Sequence, residues 1–144
     1  MRMLAVWLST ALVATSACTL DYEPDLGPEQ LIVSCDNSDS NPAVAVSFAY
    51  EIRPLLTKSM GGCSCHNGRQ TSGLDLGSYE SLRHGGLNSG AEIVVAGEPC
   101  NSILANKIGG TPPFGSRMPL NGPYMEPADV LLVRDWIAEG ALDN

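Results

Sequence analysis

Apolar residues recur at helical spacing in short stretches of this chain, and the segments between them are rich in glycine and proline. From Ser47, the positions Phe48, Ile52, Leu55 and Leu56 share one face of a helix. Pro54 falls inside that stripe, where its ring and its missing N–H conflict with the preceding turn. Two arrangements accommodate it: a regular helix that begins near Arg53 with Pro54 in its first turn, or a kinked helix. Gly61-Gly62 ends the segment. Leu74-Asp75-Leu76 reads as a short extended piece, and Ser78 as the N-cap of a brief helix over 79–83 that Gly85-Gly86 stops. Residues 92–95 read as extended. Pro99 takes the first position of a further helix that runs through Ile103, Leu104 and Ile108 to Gly109-Gly110. Residues 111–124 have no period and read as a loop.

The last element has the clearest ends. Glu126 stands at the cap position, Pro127 opens the helix, and Asp129 lies in the first turn, where the dipole favours it. Val130, Val133, Trp136 and Ile137 supply its buried side, and Gly140 stops it. Short helices joined by glycine-rich loops predict an all-α domain. A chain this rich in loops is short of aliphatic side chains for a core of about 100 residues.

The first forty or so residues read differently. Residues 1–17 carry Arg2, an apolar run from Leu4 to Ala14, and the small residues Thr15-Ser16-Ala17 before Cys18. This is the pattern of a secretory signal, too short to span a bilayer. The small residue before Cys18 resembles a bacterial lipoprotein cleavage site, which makes Cys18 a candidate for lipidation; ordinary cleavage nearby is the alternative. Residues 18–43 hold Asp21, Glu23, Asp25, Glu29, Asp36 and Asp39 with no basic residue, and read as an acidic tether. Cys35 lies near its end beside Leu31-Ile32-Val33, so this part can dock on the domain of residues 44–144.

Charge narrows the partners. A formal net charge of −8 disfavours nucleic acid and suits a basic redox partner or simple solubility. Export makes disulfides possible.

The candidate chemistry is concentrated in Gly61-Gly62-Cys63-Ser64-Cys65-His66-Asn67-Gly68. A cysteine directly before a histidine, with a second cysteine just upstream, is the local signature of covalent c-type haem attachment. The sulfurs bond the porphyrin edge and His66 meets the iron. Two residues usually separate the cysteines, and here there is one. In a regular helix that spacing turns the sulfurs about 200° apart. Either Gly61-Gly62 bends the segment so that Cys63 and Cys65 both form thioethers, or Cys65 forms one alone and Cys63 pairs with Cys100 or Cys35. A buried haem would also supply the missing apolar centre.

Two other readings need no haem. Cys35, Cys63, Cys65 and Cys100 are an even set that two disulfides would exhaust in an exported domain. Cys63, Cys65 and His66 could hold zinc or copper, although no fourth ligand stands at metal-site spacing. For a haem, Met118 in the irregular loop is the candidate second axial ligand, and its thioether would raise the potential relative to a second histidine. His84 is the rival; Met60 is too close to His66 to reach the opposite face, and Met125 precedes the last helix. Arg117 reads equally as a haem propionate partner or as surface charge.

The motifs Val46-Ser47-Phe48 through Pro54-Leu55-Leu56, Cys65-His66, Gly73-Leu74-Asp75-Leu76, Ser78-Tyr79, Val94-Val95-Ala96-Gly97-Glu98-Pro99, Arg117-Met118-Pro119 and Trp136-Ile137-Ala138-Glu139-Gly140-Ala141 follow one another in order. Together they resemble the planctomycete-type cytochrome c domains, which are similar to class I cytochromes c. The resemblance implies a small cytochrome c-like fold around one haem c, with His66 and Met118 as axial ligands. It also implies first and last helices packed together through Phe48 and Trp136. The expected function is single-electron transfer to a redox partner protein from an envelope lipoprotein anchored to the membrane through Cys18. No acid–base pair suggests substrate turnover, so an enzyme is not expected. The rival is a haem-free, disulfide-stapled structural or binding module, with Cys35 and Cys100 as one possible disulfide.

Overall fold

A computed structural model of the chain describes residues 35, 40–43, 45–59, 65–67 and 71–144. The signal segment, Cys18, most of the acidic tether, Met60 to Ser64 and therefore Cys63 lie outside the described residues. Among the described residues the regular elements are all helical and no strand is present, which is the all-α class expected from the pattern.

Pro54 is accommodated by a widened turn. Residues Phe48–Ile52 form a π turn that leads directly into α1, Arg53–Ser59. The Ile52 N–H donates to the Ser47 carbonyl at 3.1 Å, and the Arg53 N–H to that of Phe48. Each bond reaches back five residues rather than four, which opens the turn that the Pro54 ring would strike. Ser47 starts the segment: its hydroxyl accepts the Tyr50 N–H (3.2 Å), and Glu51 returns a carboxylate to the Ser47 N–H (2.8 Å).

Helix α2, Tyr79–His84, begins at Ser78, whose side chain exchanges bonds with Ser81. Gly85 ends it at φ +74°, and a Cβ there would lie 1.9 Å from the Gly90 carbonyl oxygen, so only glycine fits. The extended piece expected over 92–95 is not formed as such: Glu92 and Ile93 belong to a 3-10 turn, Gly90–Ile93. Local bonds such as Glu92 N–H to Ser89 O (3.1 Å) tighten it, and no neighbouring strand competes for those groups among the described residues.

The helix expected from Pro99 onward is broken in two. A 3-10 turn, Pro99–Asn101, precedes α3, Ile103–Gly109, and Ser102 between them is extended. The Ser102 hydroxyl is wholly buried; it donates to the Glu98 carbonyl (3.0 Å) and accepts the Val95 N–H (2.9 Å). Those bonds replace helical continuity. Helix α4, Pro127–Ala138, has Glu126 at its cap position, yet the Glu126 side chain makes no cap bond. The Asp129 N–H uses the Glu126 backbone carbonyl instead (3.0 Å). Gly140 (φ +112°) closes α4, with its N–H on Ile137 O and the Ala141 N–H on Trp136 O.

Ile52, Leu56, Leu82, Ile108, Val133 and Ile137 are fully buried, each contributing ~1.5–3 kcal/mol relative to exposure. Cys35 and Cys100 are joined by a disulfide with a Cα separation of 5.4 Å, which ties the tether to the turn before α3. The Asn41 N–H donates to the Asp135 carboxylate and the Val46 N–H to Glu139 Oε1 (2.7 Å), so the start of the domain runs along α4.

Candidate functional site

Residues 65–67 and 71–76 are laced together by backbone bonds. The Cys65 carbonyl accepts both the N–H (3.3 Å) and the hydroxyl of Thr71, and the His66 carbonyl accepts the Leu76 N–H (2.6 Å). The extended Leu74 carbonyl then lies 3.3 Å from His66 Nδ1. A carbonyl oxygen only accepts, so Nδ1 carries the proton in this bond. In the neutral ring, Nε2 keeps its lone pair for a metal or a proton donor. Cys65 is exposed and carries a free thiol.

His66 and Met118 line one cavity of about 320 Å3. Its wall is largely aliphatic, with Leu74 and Ile93 on the His66 half of the chain and Ile103, Leu104 and Ile108 from the α3 region. This volume lies within the ~300–1,000 Å3 common for small-molecule and cofactor sites. Met118 is half-buried and reaches the cavity because its N–H donates to the Lys107 carbonyl on α3 (2.9 Å).

The other candidates fall elsewhere. His84 is exposed at the end of α2 and lines a separate groove with Gly73, Asp75 and Leu87. Met125 is buried in the core, 4% exposed. Arg117 is held by the Ile108 carbonyl (Nε, 3.2 Å) and by the face of Tyr124 (4.1 Å). Its guanidinium braces the loop. Cys35 and Cys100 are given to each other, which leaves neither for Cys63. The disulfides between Cys63 and either of them, considered from the sequence, are therefore absent. Among the described residues no group of three or more His, Cys, Asp and Glu stands close enough to hold a metal.

No protein-family model, curated protein or solved structure matches this chain.

Two groups at the candidate site escape sequence reading. The Leu74 carbonyl is a backbone group, which no residue type announces. Lys107 also lines the cavity, and its ammonium bonds the Phe114 and Ser116 carbonyls across the loop. Burial lowers its pKa from the ordinary lysine value. A lone cation near the end of α3, seven residues before Phe114, was the available signal.

Proposed function

We propose that the chain is a c-type cytochrome: a haem c held in this cavity, with His66 and Met118 on the iron, passing single electrons to a partner protein. One observation carries the reading. His66 and Met118, far apart in sequence and singled out for their chemistry, line the same largely aliphatic cavity.

The residues present fit the group. The Leu74 carbonyl, 3.3 Å from Nδ1, orients the imidazole. The Lys107 carbonyl holds the backbone of Met118. The free, exposed Cys65 thiol supplies one thioether, and Cys63 supplies the second in the two-thioether arrangement. When bound, haem supplies the one-electron couple; the protein binds it, excludes water and sets its potential through the axial pair. The aromatic contact between Phe48 and Trp136 supports the cytochrome c-like packing of first helix on last.

Disulfide pairing also bears on the rival. With Cys35 joined to Cys100 and Cys65 a free thiol, the cysteines do not close the two disulfides that a haem-free stapled module calls for. Among the described residues no helix is long and apolar enough to cross a membrane, and the proposed attachment to the cell envelope is a lipid on Cys18. The protein acts as an electron carrier rather than an enzyme.

Expression in a host with a cytochrome c maturation system tests the reading. The purified protein is expected to be red, to keep its colour through acid-acetone extraction, and to lose haem incorporation in His66→Ala. A colourless wild-type protein would return the assignment to the stapled module. Wild-type absorbance in His66→Ala would remove the histidine from the site.

A further inference from the structure

We propose that Lys107 is the positioning residue of this site: it clamps the 114–118 loop to the end of α3 and thereby fixes Met118 at the cavity wall. The part concerning a ligand rests on the haem reading above, and the clamp itself does not. The Lys107 carbonyl accepts the Met118 N–H at 2.9 Å. Its ammonium donates to the carbonyls of Phe114 and Ser116, the latter at 3.2 Å, and lies 4.3 Å from the centre of the Phe114 ring. One residue therefore grips alternate positions 114, 116 and 118 of a loop with no regular structure of its own.

The chemistry suits the task. An ammonium has three donors and no acceptor, so carbonyl oxygens are the backbone partners it can satisfy. Its bonds to them are charge-assisted and stronger than neutral ones. A lysine in the last turn of a helix ordinarily reaches that helix's own carbonyls or water. Lys107 is instead half-buried and turned across to the neighbouring loop. Gly115 lies between the two gripped carbonyls at φ +58°, a left-handed conformation that favours glycine. Arg117 braces the same loop from the next residue of α3 through the Ile108 carbonyl. Methionine is unbranched, with three rotatable bonds, so the place of its backbone decides how often its sulfur meets a fixed partner.

The test is a graded series on the full purified protein: Lys107→Arg, Lys107→Gln and Lys107→Met, which keep decreasing numbers of donors on a similar stem. Amide hydrogen exchange across residues 111–124 reads the clamp without reference to haem. In Lys107→Met the loop amides, Met118 included, are expected to exchange roughly tenfold faster or more, the factor worth one charge-assisted hydrogen bond. Lys107→Gln should fall between, and Lys107→Arg should stay nearest the wild type. On the same samples, the sulfur-to-iron charge-transfer band should weaken and the reduction potential should fall in the same order, with the haem still covalently bound. Wild-type exchange rates throughout the series would overturn the clamp. Faster exchange with an unchanged band and potential would overturn its role in positioning Met118. If Lys107→Met does not fold, the Arg and Gln variants carry the comparison. A colourless wild-type protein would remove the ligand role together with the haem reading, while exchange would still decide the clamp.

Discussion

The ring of Phe48 lies 5.5 Å from that of Trp136 at a tilt of 33°, and Tyr79 meets both edge-on at 5.3 and 6.5 Å. Three elements thus converge on one aromatic cluster, and its polar atoms are satisfied. Trp136 Nε1 donates to the Leu142 carbonyl (2.9 Å) and the Tyr79 hydroxyl to that of Ala141 (2.8 Å). Phe48→Ala is expected to cost ~3–5 kcal/mol, as for other buried aromatic truncations. Urea unfolding followed by tryptophan fluorescence measures it. A loss no larger than the ~0.5 kcal/mol of a surface substitution would deny the cluster its place in the core.

Met118→Ala is expected to keep the haem covalently attached while the charge-transfer band disappears and the potential falls, because a thioether ligand favours the reduced iron. Potentiometric titration beside the absorbance spectrum decides it. An unchanged spectrum would move the distal role to another group or leave the iron five-coordinate.

Cysteine substitutions separate crosslinking from attachment. Cys100→Ser removes a disulfide that spans 65 residues and should lower stability by ~2–4 kcal/mol while the colour stays. Cys63→Ser should shift the pyridine haemochrome band to the red if two thioethers form, and haem-peptide mass spectrometry should then show both Cys63 and Cys65 modified in the wild type. An unshifted band would mean that Cys65 alone attaches the haem. Loss of haem in Cys100→Ser would show that the crosslink shapes the site rather than steadying the domain.

Cys18→Ala should release the protein from membranes without detergent, since the proposed lipid is the one anchor assigned to it. Detergent-phase partitioning measures this. A variant that stays in the detergent phase is held somewhere else.

Helix boundaries set by local chemistry were legible in the sequence. Ser78, Pro127 and Gly140 act on their own neighbours within a turn or two, and each stands where its residue type predicts. The break at Ser102 was not legible, because it depends on a hydroxyl that reaches back to the carbonyl of Glu98 and the N–H of Val95. The regular helix begins at Arg53 with Pro54 in its first turn, one of the two arrangements the sequence left open, while the π turn that leads into it was not legible. In the candidate site, His66 and Met118 stood out by residue type, and the structure adds that they share a cavity. The groups that hold them, the Leu74 and Lys107 carbonyls, carry no side-chain signature.

The bond between Cys35 and Cys100 turns part of the chain into a covalent ring. Cys65 and His66 lie on that ring, whereas Met118 lies on the linear stretch beyond it. A single protease cut after His66 and before Cys100 therefore opens the ring without dividing the molecule. On a denaturing gel such a nicked chain migrates as one species until a reductant is added, and only then do the fragments bearing His66 and Met118 part.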